Sequence, residues 1–260
     1  MRADIGDAQS LRQALEGQEA AYYLVHSLAV DDFAVRDREG ATAFAAAATA
    51  AGLNQIVYLG GLGDDRDELS EHLRSRREVE AILRDGAPTT ALRAGIVIGD
   101  GSISWEILRQ LVERLPVMIT PRWVQTKTQP IALDDAVVDL TGVLGRADTI
   151  GEVYDVGGPE VLTYLDMMVT ASQVMERHRV IVAVPLLSPR LSSHWLRLIT
   201  DVDLTTARAL VDSLTNEVVV RDHRLHSLLG HTPIRFAEVA AKALAARMER
   251  RALAEVRARP

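Results

Sequence analysis

The stretch that decides the fold is residues 56–63, Ile-Val-Tyr-Leu-Gly-Gly-Leu-Gly, an apolar strand that ends in glycines. A polar turn at 64–68 follows, and then a helix begins with Ser70 as its cap. Open α/β sheets bind their ligands at such a point, because glycines let a ligand approach the backbone and the helix N–H groups point into the crevice. The alternative is an ordinary strand-to-helix connection whose glycines serve only the turn. This stretch is therefore the first place to look for a site.

Apolar strands alternate with helical patterns on both sides of this stretch. Before it, the strand at 20–27 is followed by an alanine-rich helix over 35–51, which Gly52 closes. After it, the helix over 70–83 leads to a strand at 90–99 that again ends in glycine. Buried strands joined through helices by short polar links are typical of parallel β-α units. We therefore predict an α/β fold with a mostly parallel sheet and helices on both faces.

The composition limits the classes of function. The formal net charge of −7 over 260 residues argues against a nucleic-acid surface, which needs clustered Lys and Arg. The sequence has no Cys, which excludes disulfides, thiol nucleophiles and cysteine zinc sites and fits a reducing cytoplasm. No apolar run reaches the roughly 18–20 residues that span a bilayer, and no signal sequence is recognisable. We expect a soluble, cytoplasmic protein without a nucleic-acid partner or a transmembrane segment.

Other candidate sites have weaker support. His223, His226 and His231 have spacings of three and five, with no Cys and no His-Glu-x-x-His motif, so no metal site is expected. The acidic residues of 64–68 lack the ligand spacing of a calcium-binding loop and indicate a solvated turn. No Gly-x-Ser-x-Gly motif is present, so a hydrolase triad has no support.

Six short motifs occur in an order that is fairly specific, although each motif is weak alone. They are Asp4-Ile5-x-Asp7, Tyr22–Ser27, Ile56–Gly61, Arg93–Gly99, Gln129–Ala132 and Tyr154–Pro159. In this order they resemble the later part of an atypical, extended-type short-chain dehydrogenase/reductase, and most closely the NmrA-like NAD(P)-binding proteins. The resemblance covers roughly residues 2–168. It implies a Rossmann-like domain over 1–178, with 100–130 and 157–178 partly in a smaller substrate-side lobe, and a mostly helical extension over 179–260.

The resemblance also implies a cofactor, NAD or NADP, and assigns residues to it. In the family pattern the acidic turn lies beside the adenine, and the end of strand 20–27 lies beside the ribose and pyrophosphate. The glycines after strand 56–59 lie beside the nicotinamide, and a loop at 94–96 lies nearby. The residues so assigned are Asp4, Ile5, Val25, His26, Ser27, Leu28, Gly60, Gly61, Ala94, Gly95 and Ile96. Arg122 is assigned to an anionic group of the substrate, with a surface ion pair as the alternative. A valine at Gly61 is expected to enter the crevice and not the core.

Two departures from the family pattern bear on activity, and the first concerns the proton donor. Enzymes of the family use a Tyr and a Lys four residues apart, since the Lys lowers the pKa of the phenol and the Tyr passes a proton to the substrate. Aligned by resemblance, His72 and Arg76 take these catalytic places. A His exchanges protons near neutral pH, whereas an Arg stays charged. An ordinary helix-surface role for His72 is the alternative.

The second departure is the absence of the glycine-rich turn, Gly-x-x-Gly-x-x-Gly, whose backbone N–H groups hold the pyrophosphate. Neither 60–63 nor 157–158 replaces this turn by spacing or by place in the order. We therefore expect that the first two β-α units are absent and that NAD(P) binding is weakened or lost in the chain as given. Roughly 50 further residues are expected to be encoded upstream.

Two functions remain open. The first is an epimerase/dehydratase-like oxidoreductase with a degenerate Tyr/Lys site, acting on a small carbonyl or alcohol. The alternative is a non-catalytic dinucleotide-binding regulator or assembly factor, which the His72 and Arg76 pair favours. The expected partners are a dinucleotide and an unidentified small molecule, and self-association into a homo-oligomer is left open. Fold resemblance alone does not decide between the two functions.

Overall fold

The computed structural model describes residues 2–27, 32–120, 122–183, 200–201 and 210–257. The chain forms two compact units, each assembled from separate segments of sequence. Unit 1 comprises Met1–Ala94, Val137–Val156 and Val220–His231, and unit 2 comprises Gly95–Ala136, Gly157–Val219 and Thr232–Pro260. The predicted domain boundary between residues 178 and 179 stays a prediction, and both units draw on sequence from either side of it.

Helices and strands alternate through most of the chain. The helices are α1 (Ala8–Leu15), α2 (Phe33–Ala51), α3 (Glu71–Gly86), α4 (Ile103–Arg114), α5 (Leu133–Gly142), α6 (Tyr164–Val174), α7 (Arg224–Leu229) and α8 (Phe236–Arg257). The strands are β1 (Ala20–Tyr23), β2 (Gln55–Gly61), β3 (Thr89–Ala94), β4 (Val97–Ile98), β5 (Val117–Thr120), β6 (Lys127–Thr128), β7 (Ile131–Ala132), β8 (Val153–Val156), β9 (Leu162–Thr163) and β10 (Val180–Ala183). Of the helices in the described ranges, none has both the length and the apolar character that a membrane crossing requires.

Unit 1 is built on a parallel sheet with the strand order β1-β2-β3-β8. The pairings are parallel throughout, with Tyr22 opposite Val57 and Gly60 opposite Arg93. Around the sheet, α1 packs on α2 and α2 packs on α3. The predicted α/β class is confirmed. Because the strands are parallel, their carboxyl ends lie at one edge, which places the ends of β1 and β2 beside the start of α3.

Capping residues set the helix ends of unit 1 as the sequence predicts. The side chain of Asp7 accepts the N–H of Gln9 at the start of α1, and the Ser70 side chain accepts the N–H of Leu73 at the start of α3. Gly52 ends α2 in the left-handed conformation, with φ of 68°. Each side-chain cap contributes about 1 kcal/mol to its helix. Local sequence therefore fixes where α3, the helix that carries the predicted catalytic pair, begins.

Unit 2 consists of strand pairs packed with helices. The pairs β4–β7 and β5–β10 are parallel, and β6–β9 is antiparallel. The core of unit 2 gathers Trp105 from α4, Met168 from α6 and Phe236 from α8. Thr163 caps α6: its side chain accepts the N–H of Asp166, whose carboxylate accepts the N–H of Thr163.

Candidate functional site

In unit 1 the carboxyl ends of β1 and β2 and the first turns of α3 bring predicted site residues together. Arg76 Nη1 donates to the carbonyl oxygen of Val25 over 3.3 Å, and Arg76 Nε donates to Nε2 of His72 over 3.4 Å. His72 and Arg76 are one turn apart on α3, so their side chains share a face of the helix. His26, next to Val25, is close enough for its charge to affect His72. The residues assigned to catalysis and to the ribose side of the cofactor therefore meet.

Arg76 is buried and lies beside a buried acid. Only 6% of Arg76 is exposed, and its Nη2 lies 4.0 Å from Oδ2 of Asp37, which is 3% exposed. Ser75 Oγ donates to the same Asp37 oxygen over 3.4 Å, whereas Asp37 Oδ1 has no hydrogen-bond partner among the described residues. A buried carboxylate with so few donors depends on a nearby cation. Arg76 therefore compensates Asp37 while it holds the end of β1.

The surroundings of His72 keep its imidazole neutral. Desolvation, followed by the charges of Arg76 and His26, lowers the pKa of His72 to about 3. Desolvation and Arg76 also lower the pKa of His26, against the opposing effect of Asp37. Because Arg76 Nε–H points at Nε2 of His72, we assign the single ring proton to Nδ1. In this state His72 accepts a hydrogen bond from Arg76 and carries no second proton at neutral pH.

Replacing His72 with glutamine is expected to reduce the acid sensitivity of the fold. The folded-state pKa of about 3 lies below the ordinary value of 6.5, so between these pH values only the unfolded chain binds a proton at His72. The contribution of His72 to the free energy of unfolding is therefore fully present above pH 6.5. It decreases as the pH falls towards 3, by at most about 1.4 kcal/mol per pH unit. Between pH 7 and pH 5, the variant should lose less free energy of unfolding than wild type, by roughly 2 kcal/mol or less.

Urea unfolding at the two pH values measures this difference, because all other titrating groups are shared by the two proteins. The control is His178→Gln, which makes the same substitution at an exposed histidine outside this cluster. Equal losses in wild type and in His72→Gln would show that His72 is protonated in the folded protein.

Tyr58 is a core residue and not a proton donor to a ligand. Its side chain is fully buried, and its hydroxyl donates to the carbonyl oxygen of Arg76 over 3.1 Å. Burial raises the pKa of Tyr58 to about 12, against the opposing effect of Arg76. The hydroxyl therefore ties β2 to α3 and leaves the proton on the phenol at any physiological pH.

The glycines at the end of β2 have a packing role that the sequence did not reveal. A Cβ on Gly61 would lie 2.8 Å from Cδ2 of Leu73, and one on Gly60 would lie 2.9 Å from the ring of Tyr58. The expectation that a valine at Gly61 enters the crevice and not the core is wrong, because Leu73 is a buried residue of α3. The missing side chain at Gly61 lets α3 pack closely on β2, and the missing side chain at Gly60 leaves room for the Tyr58 ring. Contact of these glycines with a nicotinamide stays a prediction.

Two arginines that sequence reasoning missed fix the loop after β2. Arg77 Nη1 donates to the carbonyl oxygen of Gly61 over 2.9 Å, and its Nη2 donates to that of Gly63 over 2.7 Å. Arg93 Nη1 donates to Oδ2 of Asp65 in this loop over 3.2 Å, and Arg93 also binds the buried Glu80 through two hydrogen bonds of 2.8 and 2.9 Å. The one signal in the sequence is the spacing of Arg77 and Glu80 at i and i+3 on α3. The glycine loop is therefore held by its carbonyls, and its shape is set before any ligand binds.

The residues assigned to the adenine and to the end of the ribose lie in unit 1. Asp4 is exposed in the N-terminal turn, and Ile5 packs against the core. Ser27 is half-buried after β1. Leu28 lies outside the described residues. The structure thus places Asp4, Ile5 and Ser27 without testing their contact with a cofactor.

The remaining assigned residues are divided between the units. Ala94 ends β3 in unit 1, whereas Gly95 and Ile96 belong to unit 2, where the Ile96 carbonyl accepts the N–H of Ile131. Arg122 begins the 3₁₀ turn Arg122–Gln125, and its side chain lies outside what the structure describes. An anionic substrate group at Arg122 stays a prediction.

Comparison with curated proteins gives a distant relative. No protein-family model matches this chain. The chain is similar to subunit 9 of the NADH dehydrogenase (ubiquinone) 1 alpha subcomplex, mitochondrial, from Dictyostelium discoideum, with 25% identity over 180 residues. The match takes in 65% of this chain and 49% of the relative, so the chain spans about half the length of that protein.

Solved structures share the fold over nearly the whole chain. The NADPH-dependent quinone oxidoreductase of Escherichia coli, solved with NADPH, superposes with a TM-score of 0.72 at 25% identity, covering 92% of this chain and 81% of that one. The chain has the fold of an atypical short-chain dehydrogenase/reductase. Triphenylmethane reductase from Citrobacter sp., solved with NADP(H), gives 0.74 at 16% identity, covering 93% and 82%. A nucleoside-diphosphate-sugar epimerase from Staphylococcus aureus gives 0.73 at 13% identity, covering 92% and 82%.

These comparisons confirm the resemblance that the six sequence motifs predicted. The structural neighbours of this short-chain dehydrogenase/reductase fold are NAD(P)-dependent epimerases and reductases, and the curated relative belongs to the same superfamily. In a sheet of this topology, ligands bind outside the carboxyl ends of the strands. The cluster of Val25, His26, His72 and Arg76 lies at that edge.

Proposed function

We propose that this chain is an NAD(P)-binding protein of the atypical short-chain dehydrogenase/reductase type that has lost the proton relay of the enzymes. In this proposal it acts as a dinucleotide-binding regulator or assembly factor. The observation that carries the proposal is the contact of half-buried His72 with buried Arg76, whose guanidinium also donates to the Val25 carbonyl oxygen. A cytoplasmic location belongs to the same proposal and rests on the sequence alone.

A proton relay needs a group that holds a proton near neutral pH and releases it to a ligand. The pKa of His72 is about 3, so its imidazole is neutral under physiological conditions. Arg76 stays charged at all relevant pH values, and it compensates Asp37. The Tyr58 hydroxyl donates to a backbone carbonyl inside the core. These contacts support a structural role for His72 and Arg76, the residues at the positions where the family's enzymes carry their Tyr and Lys.

The carboxyl edge of the unit 1 sheet supports dinucleotide binding. Leu24 and Val25, just after β1, are exposed apolar side chains, at 51% and 40%. Apolar surface at the ends of parallel strands suits the faces of a base and a ribose. NADPH is bound in the structures of the quinone oxidoreductase and of other neighbours. When bound, the cofactor would supply a hydride, and the residues that would hold it are Asp4, Ile5, Val25, His26 and Ser27.

Replacing Val25 with glutamate is expected to weaken NADPH binding at least tenfold. In the proposal Val25 lies beside the pyrophosphate, and a carboxylate there would repel the two phosphate charges. The matched control is Val35→Glu, which introduces the same charge at another exposed valine of unit 1, on α2. Titration of NADPH and NADH followed by nicotinamide fluorescence measures both variants. Equal binding by the two variants would contradict the proposed crevice. No saturable binding by wild type would agree with the expected loss of binding without the glycine-rich turn, and it would contradict the dinucleotide-binding part of the proposal.

The assembly role is supported by the curated relative. That protein is named as a subunit of NADH dehydrogenase (ubiquinone), and this chain matches it over 180 residues. A dinucleotide that binds the folded state and is not consumed stabilises the fold by mass action, which suits a protein whose task is to dock with others. We propose this class of role for the present chain, with the dinucleotide as a structural ligand.

An oxidoreductase is the second candidate, and the 25% identity to the NADPH-dependent quinone oxidoreductase favours it. Hydride transfer to an acceptor that takes its proton from water does not need a proton from His72. Such an enzyme would reduce a quinone or another strong electrophile more readily than an unactivated carbonyl.

Absorbance assays distinguish the candidates: oxidation of NADPH is measured with a quinone and with a panel of small carbonyls, and reduction of NADP⁺ is measured with a panel of small alcohols. The primary proposal predicts no oxidation above the rate without protein. Turnover that persists in both His72→Gln and Tyr58→Phe would support the second candidate. Turnover that either substitution abolishes would overturn the statement that the relay is lost.

A further inference from the structure

Unit 1 contains a group of potential metal ligands that lies apart from the proposed cofactor residues in sequence. It consists of Asp139 on α5, His226 on α7 and His231 just after α7. Nε2 of His226 lies 3.1 Å from Oδ2 of Asp139, and Nδ1 of His231 lies 2.9 Å from Oδ1 of the same carboxylate. In the ranges that the structure describes, no other group of three His, Cys, Asp or Glu residues has ligand atoms this close together. The two imidazoles therefore converge on one carboxylate.

The fold explains why the two histidines meet at a spacing that sequence reasoning rejected. Gly230 ends α7 in the left-handed conformation, with φ of 62°, and its N–H donates to the carbonyl oxygen of His226. The N–H of His231 donates to the same carbonyl over 3.1 Å. This cap turns the chain back, so residue i+5 lies beside residue i. Asp139, which completes the group, is 87 residues away from His226 and left no signal in the local sequence.

The distances are close to those around a bound metal. Two ligand atoms that each lie about 2.0–2.2 Å from a tetrahedral ion are about 3.3–3.6 Å apart. The two nitrogen-to-oxygen distances are shorter than this range by roughly 0.2–0.7 Å, and all the ligand atoms lie within 4.8 Å of one another. A small rotation of the imidazoles would therefore admit an ion between the nitrogens and the carboxylate.

Burial and access also suit an ion. The Asp139 side chain is completely buried, so its charge is strongly attractive for a cation, whereas the side chains of His226 and His231 are 19% and 13% exposed and leave a route to solvent. Two imidazoles and one carboxylate favour zinc or a similar transition metal over magnesium or calcium, which prefer all-oxygen sites. Three protein ligands leave at least one position for water.

We propose that Asp139, His226 and His231 form a binding site for a divalent transition metal, with Zn²⁺ as the ion that fits best. The ion takes the place of the two ring protons that otherwise link the imidazoles to the carboxylate, and each neutral imidazole then carries its single proton on its other nitrogen. It ties α7 and its C-terminal cap to α5 within unit 1. The competing account is a pair of hydrogen bonds from two histidines to one acid, which holds the same elements together without an ion.

Conservative variants separate the two accounts. His226→Gln carries an amide nitrogen near the position of Nε2, and His231→Asn carries one near the position of Nδ1, so both keep a hydrogen-bond donor for Asp139 while removing a metal ligand. The matched control is His223→Asn, which changes an exposed histidine of the same segment outside the group. Each full-length protein, with any histidine tag removed, is treated with chelator and titrated with Zn²⁺ by calorimetry, and Co²⁺ is added as a spectroscopic probe.

The proposal predicts one Zn²⁺ per chain in wild type and in His223→Asn, and at least a tenfold loss of affinity in each of the other two variants. Saturating Zn²⁺ should raise the Tm of wild type by about 5–10 °C and that of the two variants by much less. Co²⁺ should give a visible absorption band in wild type that Zn²⁺ removes. Zn²⁺ binding that is absent from wild type, or equal in all four proteins, would overturn the proposal in favour of the hydrogen-bonded pair.

Discussion

Replacing Arg76 with methionine is expected to lower the free energy of unfolding by about 3–5 kcal/mol, since removal of one partner leaves a buried charge uncompensated. The Asp37 carboxylate is 3% exposed and, among the residues that the structure describes, would keep only the hydrogen bond from Ser75. Methionine fills much of the same volume, so the loss measures the charge more than a cavity. The variant also loses the hydrogen bond to the Val25 carbonyl at the end of β1. Urea unfolding followed by far-ultraviolet circular dichroism gives the value.

A second substitution shows whether the buried acid is the cause. Asp37→Asn removes the charge, so the double variant with Arg76→Met should recover part of the stability that the single change loses. The control is Arg84→Met on the same helix. The Arg84 side chain is 40% exposed, and its Nη1 lies 4.0 Å from Oε1 of Glu80. This control should cost less than about 1 kcal/mol. A similarly small loss for Arg76→Met would mean that Asp37 does not depend on Arg76.

Replacing Gly158 with alanine is expected to cost about 3 kcal/mol, at the upper end of the range for overpacking. A Cβ at this position would lie 2.3 Å from the carbonyl oxygen of Pro130, a backbone atom that has no rotamer to change. The segments are also held together, since the Gly158 N–H donates to that oxygen over 2.9 Å and Gln129 Nε2 donates to the Gly158 carbonyl over 2.6 Å. Relief of the clash would break both hydrogen bonds.

Tryptophan fluorescence during urea unfolding reports on this change, because Trp105 and Trp123 belong to unit 2, which also contains Gly158. The control is Gly6→Ala, where a Cβ would meet only Oδ1 of Asp4 at an ordinary 3.4 Å. Gly6→Ala should lower the free energy of unfolding by less than about 1 kcal/mol. If Gly158→Ala unfolds like wild type, the backbone segments at Pro130 and Gly158 are not fixed as described.

The features that depend on local sequence were predictable. The strand at 56–61, the Ser70 and Thr163 caps and the Gly52 helix end each rest on residues within a few positions of one another, and the structure has all of them. The parallel sheet was predictable because short polar links between strands and helices favour parallel β-α units. The order of the six motifs then sufficed to indicate the fold family.

The features that depend on side chains from distant segments were not predictable. The reason for glycine at Gly61 is the side chain of Leu73, and periodicity cannot show how closely a helix will pack on a strand. Gln55 is the first residue of β2, a strand whose sequence is otherwise largely apolar. It is nevertheless buried, and its side chain donates to Thr90 Oγ1 and to the Val143 carbonyl oxygen. The partner of Arg76 is Asp37 on another helix. Only the folded chain reveals such pairs.

The most direct test of the account concerns the protonation of His72. The central claim is that His72, at the position of the family's proton donor, is neutral. Its Nε2 accepts a hydrogen bond from buried Arg76, and its proton is on Nδ1. NMR spectra of ¹⁵N-histidine-labelled protein, with the His72 signals assigned through the His72→Gln variant, report the tautomer and charge of the ring from about pH 8 to about pH 5. We predict one neutral tautomer throughout this range and no inflection above pH 5. An inflection at about pH 6–7, or a doubly protonated ring at neutral pH, would contradict the account and restore His72 as a proton donor.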